Sequence, residues 1–344
     1  MKLGISVGYS GANMELPIKQ VLRAEELGFD SVWASETYGS DAITPLAYMA
    51  ALTQKIKLGT GIAQLAARTP ANLAMCAQTI DALAGGNRVI VGLGVSGPQI
   101  VEGWYGQPWG KPGARLRDYV AIMKKIWKRE GPVAYEGTEI SLPYTGPGAT
   151  GLGKPLKSIL RGNPDIPVFI GASTNPNIRL SAEIADGWLT MHLAPNSVKD
   201  YLPIIEQGLA KRTDGKILRD FVLRGTLGVY VNSDVKQALA AMKPAVALYT
   251  GGMGAKDKNF HKDSMIKRGF ADAAERIQEL YLAGRKEEAA AAVPDEYIDD
   301  ENLIGPPERI KERWKPWIDS GLNMMTFLQP NAETLEILGT FVQR

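Results

Sequence analysis

Polar residues gather in this chain at the points where short apolar runs end. Ser35-Glu36-Thr37-Tyr38 closes the run that begins at Ser31. A carboxylate, hydroxyls and a phenol at one point can bind a ligand or move a proton, and they can equally form an ordinary turn. His192 directly follows the run Gly187–Met191. A lone histidine there suits proton handling or a purely structural contact. Gly171-Ala172-Ser173-Thr174-Asn175-Pro176 links an apolar run to a helical pattern. Hydroxyls and free N–H groups at a helix start suit a phosphate, or plain N-capping. Past the run Arg88–Gly94 come Glu102, Trp104 and Tyr105; the aromatics could wall a flat ring or pack a loop. His261 and the loop cations Lys154, Lys157 and Arg161 are weaker candidates. The cations suit a phosphate or acidic tail, or a solvated loop.

Gly92-Leu93-Gly94-Val95-Ser96-Gly97 matches the dinucleotide-binding pattern, with Asp118 roughly 20 residues further on where a ribose ligand is expected. The context disagrees. The motif follows a fourth strand, not a first, and Pro98 with a Gly- and Pro-rich loop stands where a phosphate-binding helix should open. The expected role of Gly94 is to let a strand end approach a ligand closely.

These points need elements to hold them. Strands are predicted over 3–9, 31–35, 56–63, 88–94, 166–171, 187–191, 221–231 and 323–328. Helical patterns over 17–27, 45–52, 70–83, 177–185, 196–211, from about 234 and over 332–343 fall between or after them. A strand–helix step of roughly 30 residues is one βαβ unit, so the strands are parallel and covered by helices. Eight steps predict a (β/α)₈ TIM barrel, an α/β fold, over 1–344 as a single domain. Gly131–Asp165 and about Gly251–Pro307 do not fit the repeat and are read as insertions in βα loops that shape the site.

Bulk properties exclude several classes. With 39 basic and 37 acidic residues the net charge is +2, which gives no case for nucleic acid or an anionic membrane as partner. Two histidines argue against a His-rich metal centre, so no metal is expected. The single cysteine, Cys76, excludes an internal disulfide framework and reads as a core thiol. No apolar run approaches the ~20 residues of a membrane span, and the N-terminus reads as a strand and not a leader. The expected setting is cytoplasmic.

The sequence resembles the bacterial luciferase-like family. The similarity points to its deazaflavin-dependent branch, which includes methylenetetrahydromethanopterin reductase and F420-dependent glucose-6-phosphate dehydrogenase. The motifs are Phe29-Asp-Ser-Val-Trp-Ala-Ser-Glu36, Ile56-Lys-Leu-Gly-Thr-Gly-Ile62, Ala67-Arg-Thr-Pro70, Thr79-Ile-Asp81, Gly92-Leu-Gly94, Ile184-Ala-Asp-Gly-Trp188 and Leu303-Ile-Gly-Pro306. The resemblance implies coenzyme F420 in the barrel mouth, a hydride carried at its deazaflavin C5, a small-molecule substrate and a homodimer. It implies a non-prolyl cis peptide at Gly61–Ile62 behind the ring. Ser35, Gly61, Ile62, Ala63, Gln64 and Gly94 would line the ring, and Ala172, Ser173 and Thr174 would hold a phosphate. Glu36 would handle the proton first, then His192, Tyr38 or Glu102. Thr37 stands where relatives often carry His, which leaves open a flavin-binding protein without turnover. An FMN-dependent monooxygenase of the same fold and a nicotinamide dehydrogenase built on Gly92–Gly97 are the other readings.

Overall fold

A computed structural model describes residues 1–253 and 259–342. Residues 254–258 of the predicted second insertion, and Gln343 at the predicted end of the closing helix, lie outside the described residues. The strands are β1 (Lys2–Gly8), β2 (Ser31–Ala34), β3 (Lys57–Thr60), β4 (Ala63–Gln64), β5 (Val89–Gly94), β6 (Val168–Gly171), β7 (Gly187–Leu189), β8 (Val222–Val231), β9 (Asn302–Gly305) and β10 (Met324–Leu328). The chain divides into two compact units, one of Met1–Met191, Asp200–Gly225 and Asn323–Arg344, the other of His192–Lys199 and Thr226–Leu322.

The first unit is the barrel. Its strands run in the order β10, β1, β2, β3, β5, β6, β7, β8, and β10 pairs again with β8 to close the ring. The pairs β10–β1, β1–β2, β2–β3, β3–β5, β5–β6, β6–β7 and β7–β8 are parallel, as the intervening helices require. Trp33, Ile90, Phe169, Leu189 and Met324 form one buried cluster, and the Trp33 and Phe169 rings stack at 5.9 Å. Carboxylates fasten the starts of the strands. Glu25 Oε1 accepts the N–H groups of Gln54, Lys55 and Ile56 at 2.6–2.8 Å ahead of β3. Asp81 accepts those of Asn87, Arg88 and Val89 ahead of β5, and Asp186 Oδ2 accepts that of Val168 at 2.9 Å. The family motif residues Asp81 and Asp186 thus serve the N-terminal end of the barrel strands, where such residues carry stability.

Several expectations need correction. The predicted third strand is two pieces, β3 and β4, parted by a cis peptide at Gly61–Ile62. A four-residue helix, Pro98–Val101, does follow Gly97, and the long helix Pro112–Lys128 was hidden by the Gly and Pro residues ahead of it. That helix buries Leu116, Tyr119, Val120, Ile122, Met123, Ile126 and Trp127, the spacing of one helix face. Because it precedes residues 131–165, that insertion is an αβ connection entering β6, not a βα loop. Two antiparallel bridges, Val133 to Leu156 and Tyr135 to Leu142, fold it back on itself. Asp118 accepts from the N–H groups of Glu139 and Ile140 and from Tyr135 Oη, so it clamps this segment and no ribose. Cys76 is half-buried, not a core thiol, since its helix turns that face toward solvent.

The second unit is largely helical. It holds the C-terminal half of β8, paired in parallel with β9 through Gly228–Val231, a strand the sequence reading had placed in an insertion. Helices Val235–Gly252, Phe260–Lys267, Ala271–Leu282, Lys286–Ala291, Asp295–Asp300 and Pro307–Ile318 complete it. Leu239, Met265, Ile277, Leu280, Tyr297, Ile298 and Ile304 belong to its own apolar core. No helix among the described residues is long and apolar enough to cross a membrane.

Candidate active site

The break between β3 and β4 organises the barrel's polar end. Ser35, one residue past β2, donates its hydroxyl to Gly61 O at 2.9 Å. Glu36 is buried, and its carboxylate is fully engaged: Oε2 accepts from Gln64 N at 2.9 Å and Oε1 pairs with Arg68 Nη1 at 2.7 Å. Gln64 returns its amide N–H to Glu36 O at 3.1 Å, which leaves its buried Oε1 without a partner. Arg68 also reaches Asp41 at 3.4 Å. Burial opposes the Arg68 charge, but Glu36 and Asp41 outweigh it and hold the guanidinium above its ordinary value. The Tyr119 hydroxyl donates to Arg68 O at 3.0 Å, and that of Tyr105 to Thr37 O at 3.3 Å. Burial first, and Glu36 second, raise the Tyr105 phenol.

Two glycines make room for this segment. A Cβ on Gly94 would lie 2.7 Å from Ile62, and one on Gly171 would lie 3.0 Å from it. The side chain of Ile62 can therefore sit between the ends of β5 and β6 only because neither position carries a side chain. Beneath the break, Arg224 of β8 is buried in the barrel with its guanidinium 4.2 Å from the Trp33 ring centre. Its Nε donates to Thr326 Oγ1 at 2.7 Å, the one hydrogen bond its side chain makes among the described residues. Burial pushes Arg224 down to about 9.

Past β6, Trp188 Nε1 donates to Ala172 O at 2.7 Å and fixes the following turn. Thr174 is the N-cap of helix Asn175–Ile184, but its side chain makes no capping bond, so the first N–H groups keep their capacity for a ligand. Tyr38 is 63% exposed and meets Trp104 edge-on at 6.5 Å; Glu102 is exposed.

The second unit holds His192 in a left-handed conformation, φ 56°. Its Nδ1 lies 3.2 Å from Glu301 Oε2, Glu301 pairs with Arg268, and its buried Nε2 has no partner. His261 packs edge-on to it at 5.4 Å; burial first, and His192 next, lower His261 to about 4.

The family profile described as luciferase-like monooxygenase matches residues 6–324. The chain belongs to the luciferase-like monooxygenase family. It is an oxidoreductase of that family. It is 43% identical over 344 residues, 99% of each chain, to a Mycobacterium tuberculosis protein named "Putative coenzyme F420-dependent oxidoreductase". It is 27% identical to 5,10-methylenetetrahydromethanopterin reductase of Archaeoglobus fulgidus, over 92% of this chain and 91% of that one. The fold superimposes on the coenzyme F420-dependent tetrahydromethanopterin reductase of Methanopyrus kandleri with a TM-score of 0.79, at 23% identity and covering 99% and 98% of the two chains. An F420-dependent secondary alcohol dehydrogenase gives 0.73 at 17%, covering 99% and 98%.

Within this luciferase-like chain, Ser35, Glu36, Gly61, Ile62, Ala63, Gln64 and Gly94 meet around one strand break. The turn of Ala172, Ser173 and Thr174 follows β6, hydrogen-bonded neighbour of β5. His192 belongs to the other unit. Arg68, Arg224, Trp188, Glu301 and Arg268 were not singled out as functional in the sequence reading. Arg68 sits in a quoted family motif, and Arg224 is a lone charge in an otherwise apolar strand, a signal that was there to be used.

Proposed function

We propose that this enzyme binds coenzyme F420 at the end of the barrel where β3 breaks, and transfers a hydride between the deazaflavin ring and a small organic substrate. The observation that carries the reading is Gln64 Oε1, a buried acceptor with no partner beside the cis Gly61–Ile62 bond. Buried polar atoms are nearly always satisfied, and a heterocycle with ring N–H groups would satisfy this one. The relative named as coenzyme F420-dependent supports the choice of ring.

The residues fit such a group. Gly61, Ile62 and Ala63 offer backbone at the strand break, and Gly94 makes room for the Ile62 side chain at the end of β5. The turn of Ala172, Ser173 and Thr174 with the uncapped helix start behind it suits a phosphate. When bound, F420 supplies a two-electron hydride carrier at its C5. Glu36 holds the frame: it fixes Gln64 through its amide and Arg68 through an ion pair, and a carboxylate so engaged acts as a positioning group. Tyr38 and Glu102, both exposed at the same end of the barrel unit, are the groups free to pass a proton.

Titrating the apoprotein with F420 and, in parallel, with FMN, followed by tryptophan fluorescence, tests this. Micromolar or tighter binding of F420 with FMN at least ~10-fold weaker supports it. Preference for FMN would move the chain to the oxygen-using reading.

A further inference from the structure

We propose that Arg224 is the counter-cation for a negative charge on the bound deazaflavin ring, and so selects that ring over a neutral flavin. The inference rests on the F420 reading above. A guanidinium taken out of water costs several kcal/mol unless carboxylates or a full set of acceptors replace the water. Arg224 has neither. Among the described residues no carboxylate pairs with it, and its side chain makes a single hydrogen bond, from Nε to Thr326 Oγ1. It faces the Trp33 ring and Thr326 Oγ1, with Nη2 close to Gly61, and its own carbonyl accepts from Thr190 N at 2.9 Å; none of these groups titrates.

The free end of the guanidinium lies beside the strand break: a Cβ built on Gly61 would stand 3.7 Å from Nη2, and the glycine leaves that space between the cation and the Gly61–Ile62 segment open. Gly61 itself is held by the Ser35 hydroxyl through its carbonyl. A buried cation whose free donors point at a proposed ring site has its missing partner in the ligand. The deazaflavin of F420 carries an ionisable hydroxyl conjugated with the ring, so its oxidised form can hold a negative charge that oxidised FMN does not. A nearby cation stabilises the ionised form and lowers the pH at which it appears.

The test uses the full chain and the variants Arg224→Met and Arg224→Lys. Affinity for F420 and FMN is read by fluorescence, and ionisation of bound oxidised F420 by its absorbance across pH. Arg224→Met should weaken F420 about tenfold or more while changing FMN less than about threefold, and should move the ionisation to higher pH. Arg224→Lys should restore most of both. Equal losses for the two cofactors, or an unmoved ionisation in Arg224→Met, would overturn the assignment. If Arg224→Met does not fold, Arg224→Lys against Thr326→Val decides: the first should keep the wild-type ionisation, the second should shift it by releasing the guanidinium, and no difference between them overturns the proposal. If wild type fails to bind F420, the cofactor reading itself falls and this inference with it.

Discussion

Among the described residues of the barrel unit, Arg88 and Arg224 are buried, and they are satisfied very differently. Arg88, at the entry to β5, spends its guanidinium on Ile56 O, Thr53 O, Ala84 O and Thr53 Oγ1, over distances of 2.5–3.3 Å. Burial lowers it, against Glu25 and Asp81 which raise it. Arg224, in β8, has one hydrogen bond and no opposing charge among the described residues. The same side chain is therefore finished at the N-terminal end of the strands and unfinished beneath the break in β3. Structure accounts for the first; the second fits the charge proposed for the bound ring. The carboxylates divide in the same way, with Asp81 and Asp186 bound to strand-start N–H groups and Glu36 bound to the segment that would carry the ring.

Replacing Arg88 by Met should break this contrast most strongly. It strands several buried carbonyls, at about 1–3 kcal/mol each, so urea unfolding should show a loss of at least ~3 kcal/mol with F420 affinity of the folded protein unchanged. Arg224→Met should do the opposite: apoprotein stability within about 1 kcal/mol of wild type or above it, because an unpaired buried charge is removed. Asp186→Asn comes next, at about 1–3 kcal/mol. Burial raises the Asp186 carboxyl, but Lys124, Lys216 and the Val168 N–H outweigh that and hold it below its ordinary value. With the folded value depressed, its contribution is present above the unfolded value of about 3.9 and fades as pH falls through the folded one. The variant's deficit should accordingly be full at pH 7 and shrink below about pH 4, as unfolding midpoints at the two pH values will show. Ser35→Ala should have the smallest effect, about 1 kcal/mol or fivefold in F420 affinity, through the lost hold on Gly61 O.

How far the chain was legible follows from the same physics. The alternation of apolar strands with helical patterns read directly as a barrel, and the motif resemblance located the cis bond at Gly61–Ile62. Hydrogen-bond bookkeeping was not legible. Glu36 looked like a free acid beside β2, but its partners Gln64 and Arg68 come from a different strand and loop, and only the folded register of β2 on β3 brings them to it. Asp118 stood at the right distance for a ribose ligand and instead clamps residues 135–140. Helix Pro112–Lys128 was lost behind a Gly- and Pro-rich approach, and that loss put the first insertion at the wrong end of its strand.

Amide hydrogen exchange with and without F420 reads whether the ligand sits at the end of the barrel where β3 breaks. Added protection is expected over residues 61–65, 93–97 and 172–177, with residues 81–89 and 186 unchanged. Protection confined to the second set, or to segments elsewhere while the first exchanges as in the apoprotein, would contradict it.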